Sequence, residues 1–377
     1  MCIRDRYFVM ANIRDVIDIF DFKGDFVDVE EFGSGHINKT YLVKFNDEGS
    51  EQRYILQQLN DNVFKNIEQL MKNVFAVTSY LRSVIKENGG DPDRETLHYI
   101  HTKDGNEFYK SPEDNTYYRA YIFVRDSVSF NTAENAEMFK SSGEAFGKFQ
   151  RLLSDFNAEE LTETIPHFHD TLWRYNNEFV PALEKNASGR LDTCKAEVDF
   201  VNKYADEMGK LTAMTEKGEL PLRVTHNDTK LNNVMFDKDT NKCVCVIDLD
   251  TVMPGLALYD FGDSIRFGAS TAAEDETDLD KVEMDLDYFK AYAEGFLGEA
   301  GDYFNQAEID NLSFASKLMT LECGMRFLTD YINGDVYFRT EYPEHNLDRA
   351  RNQFKLVADM DSKMDKMEEI IKNIQKA

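Results

Sequence analysis

The residues Thr225-His226-Asn227-Asp228-Thr229-Lys230-Leu231-Asn232-Asn233 crowd a His, an Asp, a Lys and an Asn together, and Val234-Met235-Phe236 then turns apolar. A second stretch, Val246-Ile247-Asp248-Leu249-Asp250, is an apolar strand ending in carboxylates. These types and offsets suit phosphoryl transfer. An acceptor hydroxyl needs a carboxylate to orient it and take its proton, a magnesium ion needs oxygen ligands, and the transferred group needs nearby cations. Asp228 is the candidate for the hydroxyl, and Asn233 offers its side-chain oxygen to Mg²⁺. Lys230, two residues past Asp228, is placed to offset phosphate charge. Asp248, at the strand end, is the firmer second metal ligand. Asp250 reads as a further metal ligand or as a helix cap. His226 reads as a structural residue that holds the loop, because Asp228 is better placed as the base.

Two regions must position these groups. Residues 26–32, 40–45 and 53–59 read as three short strands with turn residues between them. Ile67, Leu70, Met71, Val74, Phe75, Thr78 and Leu81, with Phe64 before them, follow helical steps until Gly89-Gly90-Asp91-Pro92. Further strands are expected near Leu97–His101 and at Tyr117–Val124. Beyond about Arg125 the segments 133–155, 170–186, 193–216, 286–298, 307–332 and 347–375 carry helical spacing. The stretch 222–250 is an island of short strands among them, and the acidic stretch 271–287 reads as a solvated loop or helix start. The expectation is an α+β chain: residues 10–125 form a small N-terminal antiparallel sheet with one helix, and residues 126–377 form a larger, mainly helical C-terminal lobe. Residues 1–9 sit oddly before Met10-Ala11-Asn12 and read as a non-native leader.

The chain has 377 residues, 42% of them hydrophobic and 12% aromatic, which is ample for two packed cores. Its net charge of −27 argues against nucleic acid and anionic membrane as partners, and no apolar run is long enough to span a bilayer. Five scattered cysteines argue against a disulfide framework or a zinc site and fit a reducing cytoplasm. His98-x-x-His101 and His167-x-His169 lack the partners of a zinc site and read as surface or packing residues.

The spacing H-x-D-x-K-x-x-N at 226–233 is that of the protein-kinase catalytic loop. Together with Ile247-Asp248 and the later Asp260 after Pro254-Gly255, it resembles the aminoglycoside phosphotransferase and choline kinase superfamily, whose members share a protein-kinase-like bilobal fold. Four stretches further resemble N-acetylhexosamine 1-kinases: GSGHINKTY (33–41), RYILQQLNDNVFKN (53–66), HNDTKLNNVMFD with VIDLDTVMPGLALYDFGDSIRFGA (226–269), and LECGMRFLTDYINGDVYF (321–338). The resemblance implies an ATP- and Mg²⁺-dependent kinase of a small sugar, working on the anomeric hydroxyl of GlcNAc or GalNAc. The oligomeric state is open, and a monomer fits.

It also implies roles for further residues. Gly33-Ser34-Gly35 is either a plain hairpin turn or a loop that covers phosphates, and Gly33, Ser34 and Gly35 are the cofactor candidates there. His36 and Asn38 either cap that turn or contact sugar or phosphate. Gln57 stands on the third strand where protein kinases place a Lys, so Lys230, Arg53 or a second Mg²⁺ substitutes, or nucleotide binding is altered. The strand Tyr121-Ile122-Phe123-Val124 is the expected hinge whose backbone meets adenine, with Phe123 at its centre. Asp260 resembles the Asp that braces the catalytic loop. Arg326 is implied to face the sugar or its N-acetyl carbonyl, against the plainer alternative of a surface ion pair with Asp330. Tyr337 is implied to stack on the sugar or bond to it, against a core role. The competing functions are a kinase for choline, homoserine or an aminoglycoside, and a nucleotide-binding pseudokinase.

Overall fold

The computed structural model describes residues 13–33, 38–60, 66–113 and 115–376. The chain divides into two compact units. The first comprises Met1–Ser127 with Val244–Val252, and the second comprises Val128–Cys243 with Met253–Ala377.

In the first unit, β1 (Asp25–Glu31), β2 (Lys39–Asp47), β3 (Ser50–Leu59), β4 (Tyr99–Ile100), β5 (Tyr109–Lys110) and β6 (Tyr117–Ile122) form one antiparallel sheet. Its order is β1-β2-β3-β6-β4, with β5 also on β6. The pleat sends alternate residues to opposite faces. Tyr41, Val43 and Phe45 of β2 thus join Tyr54 and Leu56 of β3 in one core, which Ile13, Val16, Ile17, Phe20 and Phe22 complete. Residues 13–17 are helical, an element the spacing did not predict. The opposite face carries Gln57 directly across from Thr40 on β2 and from Arg119 on β6. The hairpin between β2 and β3 turns at Glu48 and Gly49, both at positive φ (51° and 90°). A two-residue loop of that kind matches the strand twist and favours glycine.

Helix α1 (Ile67–Glu87) begins where the Asn66 side chain accepts the Gln69 amide, and it buries Leu70, Met71, Val74, Val77, Leu81 and Ile85 along one stripe. Phe64, the first position of the predicted helical spacing, lies outside the described residues. The segment Val244–Val252 belongs with this unit, whereas the sequence placed it with the helical lobe. The reason is long-range bonding: the buried Asn73 of α1 donates its amide to the Val252 carbonyl at 3.0 Å.

The second unit is mainly helical. Its principal helices are α2 (Ala136–Leu152), α3 (Ala257–Gly268), α4 (Leu286–Ala300), α5 (Leu312–Asn333) and α6 (His345–Ile374). Helices α2 and α4 pack at backbone contact. A Cβ on Gly143 would meet the Tyr292 carbonyl at 2.4 Å, and one on Gly295 would meet the Lys140 carbonyl at 2.2 Å, so both positions need glycine. Phe261 of α3 packs edge-on against Phe289, Tyr292 and Phe296 of α4. Leu321, Met325 and Leu328 of α5 share a second core with Leu347, Phe354 and Val357 of α6. The acidic stretch is a loop with one 3-10 turn (Leu279–Lys281), and Asp285 caps α4. The strand Arg223–Thr225 pairs antiparallel with Met253–Gly255. The sequence predicts only a Pro-Gly turn ahead of Asp260, whereas the chain there forms helix α3. Among the described residues no helix is long and apolar enough to cross a membrane.

Candidate active site

The loop that carries Asp228 leaves the strand Arg223–Thr225 through Asn227, which adopts a left-handed conformation at φ 64°. Such a residue needs support from its surroundings, and α3 provides it. Asp260, buried in the first turn of α3, accepts the amides of His226 and Asn227 on its two oxygens at 2.9 and 2.8 Å. The same carboxylate also accepts the side-chain amide of Gln150 at 2.9 Å. Burial pushes its carboxyl above the ordinary aspartate value despite those donors. One turn further on, Asp263 accepts the Thr229 amide at 3.1 Å and the Arg266 Nε at 2.9 Å. Burial opposes its charge, but Arg266 and Lys230 more than offset the burial and lower its pKa.

Within the loop, His226 is fully buried, its ring edge-on to Phe146 and Phe149. Its Nδ1 accepts the Asp228 amide at 3.3 Å. The Asp228 carboxylate is partly exposed and held from both sides. Lys230 Nζ lies 2.9 Å from Oδ1, and Asn233 Nδ2 donates to Oδ2 at 3.1 Å and to the Asp228 carbonyl at 2.8 Å. Burial works against the Lys230 ammonium, but Asp228 and Asp263 outweigh it and raise its pKa. Turning the amide nitrogen of Asn233 inward leaves Oδ1 as the atom it can present to a ligand. A hard divalent cation prefers that oxygen donor, so the donor type at Asn233 fits magnesium.

A second clamp on this loop was not legible in the sequence. His169 Nδ1 lies 2.8 Å from Glu322 Oε1, and its Nε2 lies 3.2 Å from the Asn227 carbonyl. Both ring nitrogens of His169 thus face oxygen atoms. Glu322, almost fully buried on α5, also accepts the Thr171 hydroxyl at 2.7 Å. Burial opposes its charge, yet His169, Arg174 and Arg326 hold its carboxyl below the ordinary 4.5. A depressed carboxyl contributes stability that is present above the unfolded value and lost as pH falls through the folded one. Glu322→Gln is therefore expected to flatten the pH dependence of unfolding free energy below pH 4.5, read from urea titrations at stepped pH. An unchanged acid limb would remove Glu322 from this role.

Arg326 stands one turn beyond Glu322 on α5. Its guanidinium lies over three rings, Phe168 at 5.5 Å, Phe338 at 5.7 Å and Tyr337 at 5.9 Å. Among the described residues it has no hydrogen-bond or ion-pair partner; burial works against its charge, and Tyr337, Glu322, Cys323 and Glu178 together more than offset that. The ion pair with Asp330 that the four-residue spacing allows does not form. Asp330 is instead buried, accepting the amides of Val336, Tyr337 and Phe338 and the side chain of Asn346. That fixes the loop on which Tyr337 is 67% exposed, so the core alternative for Tyr337 is ruled out.

The remaining candidates lie in the first unit. Asp248 is exposed and left-handed at φ 59°, ahead of the 3-10 turn Leu249–Thr251. Asp250 is buried, its Oδ1 2.5 Å from Arg119 Nη1 and its Oδ2 accepting from Asn38 Nδ2 at 2.8 Å. The Asn38 oxygen accepts the Asn60 amide at 3.0 Å, so both ends of Asn38 are engaged inside the unit. Gln57 accepts from Arg119 Nε at 3.0 Å and donates to the Thr40 hydroxyl at 3.2 Å. The Phe123 amide donates to the Arg53 carbonyl, which leaves its own carbonyl to offer; its ring meets Phe32 and the Arg53 guanidinium. Gly33 is at φ 80° after β1, while Ser34, Gly35 and His36 lie outside the described residues.

A small antiparallel sheet with the long helix α1, and a mainly helical region bearing an Asp–Lys–Asn loop of this geometry, define a kinase-like phosphotransferase. The phosphotransferase enzyme family model matches residues 28–296, and the chain belongs to that family. Solved structures share the fold at low identity. A microcompartment-associated aminopropanol kinase is 14% identical, with 95% of this chain and 98% of that one covered and a TM-score of 0.57. A spectinomycin phosphotransferase, solved with ADP and spectinomycin, is 13% identical over 97% and 98%, at 0.55. An ethanolamine kinase of Plasmodium vivax is 14% identical over 86% and 82%, at 0.52.

Proposed function

We propose that the protein is an ATP- and Mg²⁺-dependent kinase that phosphorylates the anomeric hydroxyl of an N-acetylhexosamine, giving the sugar 1-phosphate. The observation that carries the chemistry is the Asp228 carboxylate held between Lys230 and Asn233. Asp228 orients the acceptor hydroxyl and takes its proton as the new O–P bond forms and the bond from the γ-phosphorus to the bridging oxygen breaks. Lys230 stays beside it to offset phosphate charge. Asn233 and Asp248 are the proposed oxygen ligands of magnesium, which when bound supplies positive charge to the nucleotide phosphates. Glycines 33 and 35, Ser34 and the Phe123 carbonyl are the proposed nucleotide contacts, and His36 a proposed acceptor contact.

The acceptor is argued from Arg326. A guanidinium framed by aromatic rings favours a neutral acceptor that offers carbonyl and hydroxyl oxygens, and it repels an ammonium group. The solved relatives include kinases of aminopropanol and ethanolamine, so amino alcohols are the contrast to test. In an ADP-release assay across N-acetylglucosamine, N-acetylgalactosamine, their unacetylated sugars, ethanolamine, choline and an aminoglycoside, turnover is expected with the acetamido sugars. Arg326→Leu is expected to raise the KM for the sugar about 10- to 100-fold, the loss of one hydrogen bond to a charged group, with kcat nearly unchanged. Turnover confined to the amines overturns the sugar assignment, and no turnover with any acceptor overturns the kinase reading.

A further inference from the structure

The first unit holds a buried ion pair that the proposed chemistry does not use. Arg119 is 2% exposed and Asp250 3%. Two charges are withdrawn from water together only where geometry and further bonds compensate, and here they do. Arg119 Nη1 lies 2.5 Å from Asp250 Oδ1, and its Nε donates to Gln57. Its guanidinium also lies 5.6 Å from the Tyr99 ring. Burial works against the charge, and Asp250 more than offsets it. Asn38 occupies the other oxygen of Asp250.

The partner of this pair sits two residues past Asp248, whose backbone is left-handed. L-residues rarely adopt that conformation unless their neighbours fix it. The neighbours here are fixed at both ends of the following turn. Arg119 and Asn38 hold Asp250, and Asn73 holds the Val252 carbonyl. Gln57 occupies the strand position at which protein kinases carry a lysine, and the cation stands directly across the ladder on β6. It points into the turn that carries Asp248 and is covered from solvent.

We propose that Arg119 is a positioning residue for the metal–nucleotide complex: its ion pair with Asp250 fixes the turn that presents Asp248, and Asp250 is an anchor of that turn and not a metal ligand. The inference rests on the kinase reading above. The test is direct binding of Mn²⁺ with ADP, followed by electron paramagnetic resonance, for the unaltered protein, Arg119→Gln, Asp250→Asn and the double variant. Each single change is expected to weaken Mn²⁺·ADP binding about 10- to 100-fold, as loss of a residue that orients a metal ligand does. The double variant, with an amide facing an amide and no unpaired buried charge, is expected to recover most of that loss.

Single variants that bind like the unaltered protein, or a double variant no better than Asp250→Asn, overturn the proposal. Where a charge-removing variant gives no cooperative melt, Asn38→Ala decides. It loosens Asp250 without stranding a charge and is expected to weaken binding; unchanged binding overturns the proposal. Failure of the unaltered protein to bind Mn²⁺·ADP overturns the kinase reading itself, a result distinct from the others.

Discussion

Asp228→Ala is expected to lower kcat by about 10²- to 10⁴-fold, the range lost with a positioned proton acceptor, while the melting temperature and ADP binding stay near their original values. The separation follows from where the carboxylate sits. It is partly exposed, and its bonds run to Lys230 and Asn233, whose own positions have other support. The Asn233 amide keeps its bond to the main-chain carbonyl of residue 228, and Lys230 keeps the attraction of Asp263. Removal of the side chain therefore takes away the proton acceptor and leaves the loop tied to α3. Asp228→Asn is a poorer probe. Either orientation of the new amide would set its NH₂ against a donor, the Lys230 ammonium or the Asn233 amide, and would move a proposed metal ligand as well. The measurement is ADP release under saturating substrates beside a thermal melt. A rate within tenfold of the original would show that Asp228 is not the group that takes the proton.

What the sequence could reveal about this site follows from the range of the interactions. The loop was legible because its chemistry is local: Asp228, Lys230 and Asn233 lie within six residues and meet within one turn. The small sheet was legible from alternation, since Tyr41, Val43 and Phe45 point one way and their neighbours the other. The supports were not legible, because each joins residues far apart in the chain. Glu322 and His169 are 153 positions apart, and Asn73 reaches a carbonyl 179 positions away. A single histidine or asparagine at such a distance leaves no periodic trace, and His169 consequently read as a surface or packing residue. Arg119 was hidden for a related reason. Its strand looks like an ordinary mixed strand, and only the register places its side chain against Gln57 and Asp250. Helix α3 was hidden by composition, with Pro254, Gly255 and Gly262 masking the steps of Leu258, Phe261 and Ile265.

The largest stability effect is expected at Asp260. Its carboxylate is 1% exposed and receives three donors, two of them the main-chain amides that shape the approach to Asp228. Asp260→Ala takes this acceptor from the His226 and Asn227 amides and leaves the Gln150 side chain only its bond to the Val224 carbonyl. At about 1–3 kcal/mol for each buried group left unsatisfied, and with partial relaxation, the variant should lose on the order of 3–5 kcal/mol. The total stability of such a chain is only about 5–15 kcal/mol, so that loss is a large fraction of it. The carboxylate also lies in the first turn of α3, where the helix dipole favours a negative charge. Asparagine does not rescue the site. One oxygen serves His226 and Gln150 and the other serves Asn227, so whichever is replaced by NH₂ faces a donor. Urea unfolding should thus show Asp260→Ala and Asp260→Asn both strongly destabilised, with kcat reduced as well because His226 and Asn227 lose their tie. Asp228→Ala should show the rate loss without the stability loss. If Asp260→Asn unfolds at the urea concentration of the original protein, the two amides do not depend on this carboxylate and the brace lies elsewhere.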